Sequence, residues 1–266
     1  MRNFILMISY LKQLYKYRQL LWILTQREIK VRYKQTTLGI LWAVLQPLSL
    51  MLIFTLVFSY FTKINSEGIP YPIFSYAALL PWTFFQTAVQ FGSMSVVNNS
   101  GLVTKVWFPR EILPLSSLLA ALVDFLISAT LLIGLMIYYH TPITLYIFWL
   151  LLLVPLQMII TAGVNLLLAA LVVIFRDLKF VIPLGLQLLF YATPIIYSIN
   201  IIPDRFFKLV LANPLTGLVD SYRKILLQGQ PPNFYYLSSS AIAGVMLIIA
   251  GYWFYKRVDK KFADII

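Results

Sequence analysis

Six runs of apolar residues divide the chain: about Leu38–Thr62, Tyr71–Val97, Leu113–Tyr139, Leu145–Phe175, Phe180–Ser198 and Leu237–Tyr255. Each is of the length that crosses hydrocarbon, which takes roughly 20 residues of helix. Backbone groups in lipid have to be bonded within their own segment, so the pattern predicts helices and not open strands. The second run contains Pro81 and several polar side chains, and the fifth is interrupted by Pro183 and Pro194. The expected fold is an all-α polytopic membrane protein with six transmembrane helices.

Three connecting segments are patterned as well. In Trp22–Lys34, a helical wheel at about 100° per residue brings Arg27, Lys30 and Lys34 within about 60° of one another, while Trp22, Ile29 and Tyr33 share another face. That predicts an amphipathic helix on the membrane surface. Asn98–Pro114 places Trp107, Phe108 and Pro109 among charges, a core too apolar for a free loop, so a docking element is expected. Ile199–Pro232 is too polar to span. It carries two amphipathic pieces, Arg205–Leu211 and Leu218–Leu227, separated by Pro214 and Gly217, which read as short helices dipping into the interface.

Composition agrees with this reading. Of 266 residues, 61% are hydrophobic and only 11% charged, where soluble domains carry about 25%. The net charge of +12 does not indicate nucleic acid, because the charges fall between apolar runs and not along one face. Their distribution sets orientation. With the N-terminus inside, cytoplasmic segments hold Arg2, Lys12, Lys16, Arg18, Arg27, Lys30, Arg32, Lys34, Lys105, Arg110, Arg176, Lys179, Lys256, Arg257, Lys260 and Lys261. The outer segments hold only Lys63, Arg205, Lys208, Arg223 and Lys224. This positive-inside bias puts both termini in the cytoplasm. Met1–Lys34 lacks an apolar core followed by a small-residue cleavage site, so it is expected to be retained.

Candidate chemistry is sparse. There is no cysteine, no Gly-x-x-x-x-Gly-Lys-Ser/Thr phosphate cradle and no pair of histidines at ligand spacing. The single histidine, His140, falls at an expected outer loop tip. Asp124 is the acid inside an expected span. It reads either as a proton or cation site, the basis of an ion-coupled secondary transporter, or as an acid hydrogen-bonded to a neighbouring helix. The acids Glu67, Asp204 and Asp220 form no cluster that would support a lipid-linked glycosyl- or phosphotransferase. On the first run, Trp42, Gln46, Ser49, Ile53 and Tyr60 fall on roughly one stripe. Aromatic faces with polar partners suit sugar rings, and lipid-facing bulk with interfacial belts fits equally well.

Taken together, certain stretches resemble the permease subunits of type-2 ABC exporters for lipid-linked polysaccharides, such as the O-antigen and teichoic acid exporters. They are Arg27–Thr36 running into Leu38–Trp42 with Gln46 and Pro47, Leu80–Phe85, Lys105–Pro114, Phe175–Lys179, Tyr191–Tyr197, and Asn213-Pro214 with Tyr222-Arg223. The resemblance covers most of the chain from Leu20 to Lys256, in order; Glu28 stands where an aspartate is more usual. It implies one ABC-2 type transmembrane domain over 1–266: a cytoplasmic segment at 1–37, a six-helix membrane part at 38–257 and a tail at 258–266.

The resemblance further implies a homodimer engaging two copies of an ATP-binding cassette subunit, which carries ATP and Mg, with no cofactor on this chain. A bacterial inner membrane and export of lipid-linked polysaccharide, or of teichoic acid or capsule, follow from the same likeness. Lys105, Val106, Trp107, Phe108, Pro109, Arg110 and Glu111 are then the coupling helix that docks on the ATPase. Arg27, Lys30, Arg32 and Lys34 are the headgroup-facing residues of an interface helix. The pieces around Phe206–Leu211 and Leu218–Leu227 are outer gate helices. Trp42, Gln46, Ser49, Tyr60, Phe190, Tyr191 and Tyr197 line the conduit.

Overall fold

A computed structural model describes residues 15–34, 36–62 and 66–262. Residues 1–14 of the segment expected to be cytoplasmic, with Arg2 and Lys12, lie outside the described residues, as does Lys63 of the outer set. Among the described residues every regular element is helical.

Helix α1 (Arg18–Tyr33) ends with Lys30 and Arg32 in its last turn, where cations complement the helix dipole. A 3₁₀ turn at Gly39–Leu41 starts α2 (Trp42–Phe54). Gly39 there has φ +53, a value that disfavours any residue with a Cβ. The helix widens into a π turn at Thr55–Phe61. Helix α3 (Tyr71–Asn98) begins after Pro70, with Pro72 in its first turn, where the missing N–H costs nothing. The short α4 (Ser100–Lys105) and a non-helical turn lead to α5 (Ile112–Tyr138). A 3₁₀ turn at Leu145–Trp149 runs into α6 (Leu150–Ile174), followed by α7 (Leu178–Ala192). Then come α8 (Asp204–Leu211), α9 (Pro214–Arg223) with a π turn at Lys224–Gln228, and α10 (Phe234–Asp259). Asn213 and Asn233 cap α9 and α10 by accepting from the N–H of Leu215 and Tyr235, both at 3.0 Å.

Four stretches are long and apolar enough to cross a membrane: Gly39–Phe61, Ile112–Tyr138, Leu145–Ile174 and Phe234–Asp259. The other two expected spans differ in their physics. Helix α3 has ample length at 28 residues, but its tyrosines, glutamines, serines and threonines keep it less apolar than the other four. The fifth, expected over Phe180–Ser198, stops at Ala192, because Thr193 takes an extended conformation and Pro194 follows. Its 15 residues reach about 22 Å at 1.5 Å each, short of a hydrocarbon core of about 30 Å.

Helix α3 is the centre of the bundle, packed along α5, α6 and α9, while α6 lies along α10. Buried side chains from α3, α5, α6 and α9, among them Tyr76, Leu79, Phe84, Phe125, Leu153, Ile160, Leu218 and Tyr222, form the larger core. A second cluster at the end that carries α1 joins Leu24, Val103, Phe108, Ile112, Leu166, Tyr255, Val258 and Phe262. Helices α2 and α7 are the least enclosed. Each touches α3, but both leave long apolar faces open, including Leu52, Ile53, Leu56, Leu184 and Leu188.

Helices α6 and α10 meet at glycines. A Cβ on Gly251 would stand 2.2 Å from the Gly163 carbonyl oxygen, and one on Gly163 would stand 2.6 Å from the Leu247 and Ile248 backbone. Such close approach is the usual way in which membrane helices gain packing that lipid cannot match.

Candidate functional site

The basic end of the bundle carries a cleft of about 360 Å³ between α1, α2, α3 and α5. Arg32 and Tyr33 come from α1, Trp42 and Gln46 from α2, Thr83, Gln86, Thr87 and Gln90 from α3, and Asp124 from α5. Residues 83, 86, 87 and 90 share one face of α3 because they recur at three- and four-residue steps. That polar face stands out on a helix otherwise enclosed by apolar neighbours.

At one side of the cleft, Arg32 Nη1 donates to Asp124 Oδ2 at 2.8 Å and the Tyr33 hydroxyl donates to Asp124 Oδ1 at 2.7 Å. Arg32 Nη2 donates to the Ser117 carbonyl at 3.2 Å, and the guanidinium lies 4.2 Å from the centre of the Phe91 ring. The side chains of the pair are only 6% and 14% exposed. Burial, together with the bond to the carboxylate, raises the Tyr33 phenol well above its ordinary pKa, so it stays a donor.

Of the two readings open for Asp124, this geometry matches an acid hydrogen-bonded to a neighbouring helix, which also supplies a cationic partner from outside the expected spans. One expectation is corrected. Arg32 does not share the outward basic face expected of it. Of that face, Lys30 and Lys34 are exposed, while Arg27 is exposed and donates to Asn99 Oδ1 at 2.7 Å.

The aromatic stripe is resolved into parts. Trp42 and Gln46 line the cleft, Ser49 is exposed and bonded back to the Leu45 carbonyl at 2.7 Å, and Tyr60 is exposed in the π turn. From position 42 to 60 this stripe runs about 27 Å along α2. Phe190 of α7 is half-buried between Phe54 of α2 and Trp82 of α3, with ring centres at 5.7 and 5.4 Å. Tyr191 beside it is exposed, and the half-buried Tyr197 donates to its carbonyl at 3.1 Å. The structure therefore joins α2 to α7 at the Phe54–Phe190 ring pair, of which only Phe190 is among the expected residues, while Trp42 and Gln46 stand apart in the cleft.

The segment expected as a coupling helix, Lys105–Glu111, is not helical beyond Lys105. Helix α4 is Ser100–Lys105, and residues 106–111 form a turn without regular structure. Lys105 at the end of α4 and Val106 and Trp107 in the turn are exposed, Trp107 at 76% and with its ring centre 6.5 Å from that of Tyr17. Phe108 and Pro109 are buried. Glu111 is fully buried and forms an ion pair with Lys256, its Oε1 2.6 Å from Nζ. Arg110 bonds the Asp259 carbonyl and lies 3.5 Å from its carboxylate. One half of the turn thus faces outward, and the other is pinned to the end of α10.

At the opposite end, Arg223 is a residue that sequence reasoning placed only within a motif. Its guanidinium donates to the carbonyls of Phe74 at 3.2 Å, Pro194 at 2.7 Å, Tyr197 at 3.1 Å and Ile195 at 2.5 Å, and stacks 3.6 Å from the Phe74 ring. These bonds hold the non-helical stretch after α7. Nearby, Glu67 accepts from Ser198, from Asn200 Nδ2 at 2.7 Å and from Gln228 Nε2 at 2.7 Å, joining three loops. Helix α9, expected at the interface, is instead buried against α3, α6 and α10.

Comparison with known proteins places the chain. The family described as ABC-2 type transporter matches residues 19–227. An O-antigen export system permease protein RfbA from Myxococcus xanthus is 35% identical over 263 residues, covering 98% of this chain and 100% of that one. One of the same name from Klebsiella pneumoniae is 31% identical, covering 93% and 95%. The polysialic acid transport protein KpsM of Escherichia coli is 26% identical, covering 76% and 79%. The matched region runs from the start of α1 to the π turn after α9 and so includes the cleft, the α4 turn and Arg223. The chain belongs to the ABC-2 type transporter family.

Proposed function

We propose that this multi-pass inner-membrane protein is the permease subunit of an ATP-driven exporter that moves a lipid-linked, O-antigen-like polysaccharide out of the cytoplasm. The observation that carries this reading is the similarity to a protein named as an O-antigen export permease, over 98% of this chain and 100% of that one. The basic end, with α1, the α4 turn and the last turn of α10, faces the cytoplasm, as the positive-inside rule requires. Helices α3 and α7 complete six passes, α3 shielded by its neighbours and α7 extended by the stretch that Arg223 holds.

Two copies pair, and each engages one ATP-binding cassette subunit, which carries ATP and Mg and does the hydrolysis. The outward half of the α4 turn, Lys105, Val106 and Trp107, meets that subunit. Because Arg110 and Glu111 tie the turn to α10, a push at Trp107 is passed to a long helix as rigid-body movement. The glycan travels along the open side of α2, where Trp42, Gln46, Ser49 and Tyr60 supply stacking faces and hydrogen bonds that exchange readily as a polymer slides. Lys30 and Lys34 meet lipid headgroup phosphates. The Arg32–Asp124 pairing disfavours the ion-coupled alternative, because the carboxylate is already neutralised and held by two donors.

The test is complementation in cells lacking the gene. Wild type should restore glycan at the surface, and Trp42→Ala with Tyr191→Ala should lower export several-fold while the protein still assembles with its ATPase. Full export by that double variant would overturn the proposed path. Loss of the gene without intracellular glycan accumulation would overturn the function.

A further inference from the structure

We propose that the cleft at the basic end is a binding subsite for an uncharged sugar unit, recognised by amide groups and the Trp42 ring and not by charge. This rests on the export reading above and deepens it by naming what is bound and where. The cleft volume, about 360 Å³, falls at the small end of the range for small-molecule sites, about 300–1,000 Å³. It is room for a short piece of glycan and not for a folded polymer.

The polar groups are arranged for a neutral ligand. Among the described residues the charges lining the cleft are Arg32 and Asp124, which neutralise each other at 2.8 Å. A phosphate there would have to displace a carboxylate already held by two donors. The remaining partners are amides and hydroxyls. Gln46 and Gln90 are exposed and make no side-chain hydrogen bond among the described residues. Gln86 accepts from the Trp82 indole N–H at 2.9 Å. An amide offers a donor and an acceptor side by side, which matches a hydroxyl able to play both parts.

Two further observations ask for an occupant. The Arg32 Nε–H is buried and has no acceptor, although the two other nitrogens of that guanidinium are engaged. Exposed amides facing acyl chains would be costly, so the cleft opens to water or to a polar ligand. Trp42, about half exposed at 49%, presents an aromatic surface beside them, as the C–H face of a pyranose requires.

The chain contains no cysteine, so single thiols report cleanly. Gln46→Cys and Gln90→Cys would be tested in inside-out membrane vesicles with the ATPase bound, using a hydrophilic maleimide. Gln26→Cys, exposed on α1 away from the cleft, serves as control. Vesicles would come from cells that accumulate lipid-linked glycan because their ATPase is inactive, from cells making only the sugar-free lipid phosphate, and from cells making neither.

A site nine-tenths occupied reacts about tenfold more slowly, so slowing of that order is expected at both thiols in glycan-loaded vesicles alone, with the control unchanged. Equal slowing by the sugar-free lipid phosphate would overturn the proposal in favour of a phosphate site. Equal rates in all three preparations would overturn it outright. Slow labelling everywhere, with or without Cys–Cys cross-links between copies, would assign the cleft to a buried contact and overturn it as well. Glycan export by unmodified cells is measured alongside. Export without protection discards this inference alone, whereas absence of export discards the export reading with it.

Discussion

At the residue scale, the buried cations carry the sharpest expectations. Arg223 satisfies four backbone carbonyls at once, a task its planar fork performs and a lysine ammonium does not. Arg223→Lys is expected to destabilise the protein by about 2–3 kcal/mol, the worth of charge-assisted bonds lost, read as a lower thermal unfolding midpoint in detergent. An unchanged midpoint would contradict the clasp. Asp124→Asn leaves Arg32 enclosed without a counter-charge, which costs about 3–5 kcal/mol, whereas replacing both partners by apolar residues recovers much of that loss. An Arg32→Met, Asp124→Leu double variant should therefore be more stable than Asp124→Asn and still export glycan; an ion-coupled transporter would lose all activity. The sequence already held a sign of this pair, since Arg32 sits about 140° round the helical wheel from Arg27. The identity of its partner, 92 positions away, required the fold.

Elements meet where side chains are smallest or charges are shared. Gly251→Ala puts a methyl group onto the Gly163 carbonyl, and backbone gives way less readily than a side chain. The cost expected is about 1–3 kcal/mol, as for other overpacked contacts, measured by unfolding of the purified protein. The α4 turn separates binding from stability. Trp107→Ala should weaken capture of the ATPase in a pull-down while leaving the unfolding midpoint near wild type, because the ring is mostly exposed. Glu111→Gln, by contrast, should lower the midpoint, because Lys256 loses the nearer and fully buried of its two carboxylate partners. Sequence patterning marked this segment as a docking element from its Trp-Phe-Pro core, and the family resemblance implied a helix over Lys105–Glu111, whereas the helix is Ser100–Lys105. Phe108 and Pro109, whose apolarity made the argument, are buried as anchors. The helical part is the less conspicuous Ser100–Lys105, whose exposed and buried positions are too few to show a period.

For the molecule as a whole, the all-helical plan and the approximate bounds of most long helices were readable because apolar run length is a direct physical requirement of lipid. The fate of the fifth run was not, since its length depends on Arg223 reaching the carbonyls after Ala192 from another part of the chain. The cleft was half readable: Trp42 and Gln46 stood out on α2, but Gln86, Thr87 and Gln90 on α3 were noted only as polar side chains within a run expected to span and not tied to a site. That same run has a consequence for how the protein is made. Helix α3 is enclosed along nearly its whole length and is not among the helices apolar enough to cross by themselves. The first span can leave the insertion machinery for lipid unaided. Helix α3, carrying Tyr76, Trp82, Gln86 and Gln90, depends on α5 and α6 for its surroundings. Synthesis must hold it sheltered until residues near Ile174 have emerged, so a nascent chain halted earlier would present a helix that the bilayer rejects and quality-control proteases recognise.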